Sequence, residues 1–266
     1  MRVSATILGC GSSGGVPRVG GPDGAGAWGV CDPKNPKNVR TRCSLLVRLG
    51  ETSVLVDTSP DLRQQLLSAH VTHLDAVLMT HAHADQTNGI DDLRPLVQLT
   101  RTRIDMYADA TTLKRLHQQF GYCFTTPDGS EYPPIINAHE IPEPFEPFGI
   151  DGAGGALPIL PIVQTHGRIR SLGFRFGPLA YSSDVNVLDD KALEALQGVE
   201  CWIVDALRYR AHPSHANVET ALSWIARVRP KRAILTNLHN DLDFETLCQE
   251  LPPGVEPAYD GMSVEL

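Results

Sequence analysis

Residues 75–89 read DAVLMTHAHADQTNG, a mostly apolar run followed by two histidines and an aspartate within the five positions 81–85. The run has the length and composition of a buried strand, and a polar turn at the carboxyl end of such a strand is where layered α/β folds gather their ligands. Imidazoles and a carboxylate crowded so closely are hard to explain as packing, because each needs a polar partner if it is buried.

The same arrangement recurs along the chain. A strand over 52–57 delivers Asp57, one over 157–165 ends at His166, one over 179–182 runs to Asp184, and one over 232–235 ends near His239. Together with His81, His83 and Asp85, these side chains can meet at one edge of a layered core. Imidazole and carboxylate ligands without thiolates suit Zn²⁺, Mn²⁺ or Fe²⁺, and a bridging aspartate can hold two such ions.

Further strands are expected over 3–9, 43–49, 75–79, 104–108, 171–176, 200–206 and 263–266, and helices over 60–70, 110–120, 188–196, 216–228 and 242–250. Ser59 is placed to cap the first helix, with Pro60 at its first position. Residues 121–156, rich in Pro and Gly, read as an irregular covering segment. A hairpin-rich first half and a strand–helix second half predict an α/β architecture, an αββα sandwich. Two mixed sheets would pack face to face with helices on the outer faces, as one domain over 1–266. The turn GCGSSGGVP (9–17) is followed by a Gly/Pro-rich excursion rather than a helix, which disfavours a dinucleotide fold.

Composition sets the remaining bounds. The 266 residues are 42% hydrophobic with a formal charge of −8, which supports a sizeable core and argues against broad nucleic-acid binding. No apolar run approaches membrane-span length, and no basic leader opens the sequence. Six scattered cysteines without CxxC pairs fit reduced thiols, so a cytoplasmic location is expected.

The order HxHxD, then His166 in THG, Asp184 in SSDV and His239 in TNLH, with Asp57 in LVDTSP, resembles the metallo-β-lactamase-fold hydrolases across nearly the whole chain. Within that group, TILGCGSSGGVPR, RCSLLV, THAHADQTNGIDDLRPL and YDGM are most similar to the phosphoribosyl cyclic phosphodiesterases. The resemblance implies that His81, His83 and His166 hold a first ion, that Asp85 and His239 hold a second, and that Asp184 bridges them. Asp57 would orient a ligand.

Two departures stand out. The family's further second-ion histidine is replaced by Gln86, a poor ligand by comparison, so the second site should be weak or the protein should work with one ion. The cysteine cluster that relatives carry before residue 43 for a structural zinc is reduced to Cys31 and Cys43, and no such zinc is expected.

The chemistry the resemblance implies is hydrolysis of a small phosphodiester, a cyclic ribose phosphate or a nucleotide, by metal-activated hydroxide. Asp85 or Asp184 would orient that hydroxide. His215, in RAHPSHANVETAL, is the candidate to protonate the leaving oxygen, with His212 its competitor. Arg40, Arg42, Arg208 and Arg210 are candidates for phosphate contact. Other readings are a non-catalytic metal-binding or cofactor-biosynthesis relative, a tRNA-processing nuclease, and an acyl or thioester hydrolase. The resemblance also suggests a homodimer.

Overall fold

A computed structural model of the chain describes residues 2–143 and 145–266. The first half runs β1 (Val3–Gly9), β2 (Ser44–Leu49), β3 (Thr52–Val56), α1 (Leu62–Ser68), β4 (Ala76–Leu78), α2 (Ala84–Thr87), α3 (Arg94–Thr100), β5 (Ile104–Ala108), α4 (Ala110–Phe124), β6 (Ile136–Glu140) and β7 (Phe148–Ile150). The second half runs β8 (Leu157–His166), β9 (Ile169–Phe176), β10 (Leu179–Ser182), α5 (Asp190–Ala195), β11 (Cys201–Asp205), α6 (Val218–Val228), β12 (Arg232–Thr236), α7 (Phe244–Glu250), β13 (Val255–Pro257) and β14 (Met262–Glu265).

These strands make two seven-stranded sheets, ordered β14-β1-β2-β3-β4-β5-β6 and β13-β12-β11-β10-β9-β8-β7. Each sheet is antiparallel from its first-built strands to β3 or β10, then parallel to β6 or β13. Hairpins therefore give way to strand–helix units within each half, rather than between the halves as expected from sequence. The parallel strands carry helical or irregular crossovers, and it is their carboxyl ends that supply most of the site.

The period-2 alternation of the strands builds three apolar layers. Leu45, Val47, Val54, Val56 and Leu78 face Leu172, Phe174, Phe176, Ile203 and Ile234 between the sheets. Leu46, Leu55, Val77 and Met79 point the other way, against Leu62, Leu66 and Leu116 of α1 and α4. Trp202, Val204 and Leu235 meet Leu193, Trp224, Ile225 and Leu247 of α5, α6 and α7. Strands buried on both faces need apolar side chains on both, which is why they read as continuous hydrophobic runs.

Several stretches depart from expectation, among them α2, α3 and β13, where no element was expected. The segment 121–156 contains β6 and β7, the outermost strands of the two sheets, and α4 continues through a kink at Phe120 to Phe124. β6 buries only Ile136 fully, so alternation is barely visible, and prolines at 133, 134, 142 and 147 flank both strands. The helix expected over 60–70 starts only at Leu62. Ser59 nevertheless organises its approach, accepting from Asp61 N at 3.1 Å and donating to Gln65 Oε1 at 2.9 Å.

The excursion 10–42 is fastened by polar contacts. Buried Arg40 donates to Asn38 Oδ1 (3.1 Å) and the His239 carbonyl (3.2 Å), while Asn38 donates to Asp243 at 2.7 Å. Asp243 also caps α7 through Thr246 N at 3.0 Å. Cys31 rests its thiol on the carbonyls of Asn240 and Leu242, and all six cysteines are free. Among the described residues, no helix is long and apolar enough to cross a membrane.

Candidate metal centre

The site forms where β3, β4, β8, β10, β11 and β12 end. Three non-glycine residues there adopt left-handed backbone: Asp57 (φ 63°) after β3, Asp184 (φ 53°) after β10 and Asn237 (φ 62°) after β12. Asp and Asn tolerate this conformation better than other side chains do, because a short polar group can bond locally. Asp184 belongs to the ligand cluster itself, while Asp57 and Asn237 reach it through Thr80 and His215.

The first triad is His81, His83 and His166, whose ligand atoms lie within 4.8 Å of one another. His81 Nδ1 is 3.0 Å from Thr80 Oγ1, which donates to Asp57 Oδ2 at 2.8 Å. Because the hydroxyl proton points to the carboxylate, Thr80 accepts from Nδ1, leaving His81 Nε2 free. That nitrogen is buried and without a partner. His166 donates from Nδ1 to the Ser214 carbonyl at 2.6 Å, so its Nε2 is the open one, 3.3 Å from His83 Nδ1. Two nitrogens bound tetrahedrally to zinc at ordinary Zn–N lengths are about 3.3 Å apart. The donor set fits a divalent ion.

Electrostatics agree with that fit. Burial pushes His81 well below the usual imidazole range, aided by its histidine neighbours, and holds His166 down to about 4. Burial also lowers His83, with Asp85 opposing and Arg115 assisting. All three present lone pairs at neutral pH, the form a metal requires. Asp57 and Asp184 are fully buried carboxylates raised above their ordinary range, chiefly by desolvation. A bound cation would supply the charge they lack.

A second triad comprises His166, Asp184 and His215. His215 Nδ1 bonds to Asp205 Oδ2 at 2.9 Å, and Asp205 also accepts from Val185 N at 3.0 Å. The amide of Asn237 lies 3.1 Å from the same His215 nitrogen. His215 therefore turns its other nitrogen toward the cluster. Burial opposes its charge, but the Asp205 hydrogen bond and carboxylate carry it up to about 9. His212 lies beside it with its ring tilted by 49° and the centroids 5.1 Å apart.

The other half of the expected site looks different. Gln86 is buried and donates from Nε2 to Asp184 Oδ2 at 3.2 Å and to Asp85 Oδ2 at 3.5 Å, so its amide links the two carboxylates expected around a second ion. Asp85 and His239 belong to neither triad, and His239 Nδ1 contacts Asp241. Gly89 lets this turn close: a Cβ there would fall 1.9 Å from the Ser59 carbonyl.

Three of the four arginines singled out from sequence have other work. Arg40 is internal, Arg42 pairs with Asp61 at 2.9 Å, and Arg208 bonds the carbonyls of Arg210 and Ala211. Sequence reasoning missed Asp205, Thr80 and Asn237. Asp205 carried the signal used for Asp57 and Asp184, an aspartate closing an apolar strand in CWIVD.

The model of the β-lactamase superfamily domain matches residues 52–237, which takes in every residue of both triads. The chain belongs to the β-lactamase superfamily. Among solved structures of this superfamily's fold, the chain is 31% identical to "a New Diphosphatase from the PhnP Family", covering 100% of this chain and 98% of that one with a TM-score of 0.87. That likeness sets it beside the PhnP family within the superfamily. Zn²⁺-bound PqqB from Methylobacterium extorquens is 18% identical, with 99% and 100% coverage and a TM-score of 0.77, a likeness of fold. A curated relative named octanoyltransferase, from Porphyromonas gingivalis, is 34% identical over 262 residues, 96% of this chain but 50% of that protein. The chain thus spans about half the length of that relative. The chain joins superfamily membership to two triads able to hold a metal ion.

Proposed function

We propose that the chain hydrolyses a small cyclic phosphodiester, on a ribose or nucleotide, at one firmly held divalent ion, Zn²⁺ or Mn²⁺ ahead of Fe²⁺. The observation that carries this is the convergence of His81 Nε2, His83 Nδ1 and His166 Nε2, each oriented by a hydrogen bond or burial, opposite the Asp205-held His215. An ion held by these nitrogens supplies Lewis acidity and lowers the pKa of a coordinated water from about 15.7 toward 7.

The chain's own residues do the rest. Asp57 fixes Thr80, which fixes the tautomer of His81, and the Ser214 carbonyl does the same for His166. Asp184 would be shared between the two ion sites, and Asp85 would orient the attacking water. His215, held by Asp205 through Nδ1, gives a proton from its other nitrogen to the departing ribose oxygen. Gln86 fills the place of a ligand with N–H bonds to Asp184 and Asp85, so a second ion would be weakly held, with Asp85 and His239 as its ligands. The remaining features of the proposal are one domain over 1–266, a cytoplasmic location and a homodimeric assembly.

Turnover of 2′,3′-cyclic and linear phosphodiesters with Mn²⁺, Zn²⁺ and Fe²⁺ tests the activity. Hydrolysis of cyclic substrates supports it, and no turnover across the panel overturns it. Because His215 also lies within ligand distance of His166 and Asp184, His215→Ala separates its two roles: a proton donor loses turnover and keeps the metal, whereas a ligand loses both.

A further inference from the structure

On the Asp85 side of the metal centre lies an open cleft of about 540 Å³, bordered by Ser13, Gly14, Arg18, Arg42, Asp85 and Asn88. Arg42 is committed there to Asp61 at 2.9 Å. Arg18 has no such partner: its Nε is buried without a hydrogen bond, and among the described residues no carboxylate pairs with it, not even Asp85 on the same cleft. The fold nevertheless holds Arg18 in place. Its backbone exchanges two hydrogen bonds with Ala27, at 3.0 and 2.8 Å. Gly14 packs on its side chain so closely that a Cβ there would lie 2.8 Å from Nε. In the turn from Ser12 to Gly15, closed at 2.8 Å, the Ser13 and Gly14 amides have no acceptor among the described residues. Burial and then the Arg18 charge, ahead of Arg208 and His212, hold His239 down to about 4, so the guanidinium stands within electrostatic reach of the second-site imidazole.

Attack of hydroxide on a phosphodiester forms a new P–O bond and turns a monoanion into a phosphorane dianion. The bond to the ribose oxygen then breaks, and His215 gives that oxygen its proton. The added charge gathers on the two non-bridging oxygens, where preset cations and N–H donors lower the barrier most. With Gln86 in a ligand's place and a single ion firmly held, one of those oxygens is left without a cation. A guanidinium can serve it, being charged at any working pH and carrying paired N–H donors that match phosphate oxygens.

We propose that Arg18 stands in for the charge of the second ion: its guanidinium, backed by the Ser13 and Gly14 amides, binds a non-bridging oxygen of the scissile phosphodiester and stabilises the charge that develops there. This rests on the proposed hydrolysis. The signature of such a catalytic residue is a fall in kcat at unchanged metal content, and a smaller fall once a second ion is installed.

Arg18→Met and Arg18→Lys are compared with wild type, both with Gln86 in place and in the Gln86→His background, and the metal content of each holoenzyme is measured. With Gln86 in place, Arg18→Met should lower kcat on a 2′,3′-cyclic phosphodiester by about 10²-fold, as for other lost oxyanion donors, with the ion retained. Arg18→Lys should recover part of that loss, since lysine keeps the charge without the paired donors. In a Gln86→His protein holding two ions, Arg18→Met should cost less than about tenfold, because two groups that do one job are not additive. An unchanged kcat, a parallel loss of the ion, or an equal loss in both backgrounds overturns the inference. If no cyclic phosphodiester is turned over, the hydrolytic proposal fails by itself. In that case, or if Gln86→His takes up no second ion, calorimetry with inorganic phosphate on the holoenzyme decides the role of Arg18. Wild type should bind phosphate about tenfold more tightly than Arg18→Met does, and equal affinity overturns the inference.

Discussion

The two sides of the metal centre are built from similar residues yet differ in how completely they are supported. On the His81, His83 and His166 side, two rings have one nitrogen fixed by Thr80 or the Ser214 carbonyl, and the free nitrogens converge. On the Asp85, Gln86 and His239 side, an amide bridges the carboxylates and the histidine contacts Asp241 instead. The lesson is that ligand identity does not make a site by itself. What makes one is the set of neighbours that decides which atom of each ligand is left free and where it points.

The sharpest break in that contrast is His166→Ala, which removes a member common to both triads. Metal analysis should find the ion lost and turnover lost with it, because no other imidazole stands at the end of β8. A variant that keeps its ion would show that the triads are not the binding unit.

Next in size is the proton-donor pair. His215→Ala and Asp205→Asn should each cut kcat by about 10²- to 10⁴-fold at unchanged metal content, the range typical of a positioned acid. Parallel loss of metal would transfer His215 to the ligand set. Smaller again is Thr80→Val, which keeps the shape but breaks the link from Asp57 to His81. A chelator competition should read a metal affinity lower by about 10- to 100-fold, as for other residues that orient a ligand. An unchanged affinity would mean that burial alone fixes the His81 tautomer.

Much of this was legible in the sequence because strand ends are legible. Runs such as 52–56, 76–79 and 201–205 are apolar on both faces, so the aspartate or histidine that follows stands out. Asp205 was overlooked although it obeys the same rule, because it binds a histidine rather than belonging to a recognisable ligand string. The edge strands β6 and β13 were hidden for a different reason. They are short, bounded by or containing proline, and buried on little of their length, so neither alternation nor an apolar run marks them. The contacts of Gln86 could not be read at all. The sequence names an amide where a ring is expected, but only the fold brings Asp184 to within 3.2 Å of it.

A cavity by Arg115 and Arg168 borders the well-supported side of the same comparison. Its lining takes His81 and His83 from the ligand string and most of the rest from α4 and the turn between β8 and β9, far apart in the chain.

The most direct test of the asymmetry is the number of ions per chain, measured by inductively coupled plasma mass spectrometry on dialysed wild type and Gln86→His. The account predicts one tightly held ion in wild type and a rise toward two in the variant. Two tightly held ions in wild type, with no change on substitution, would contradict it.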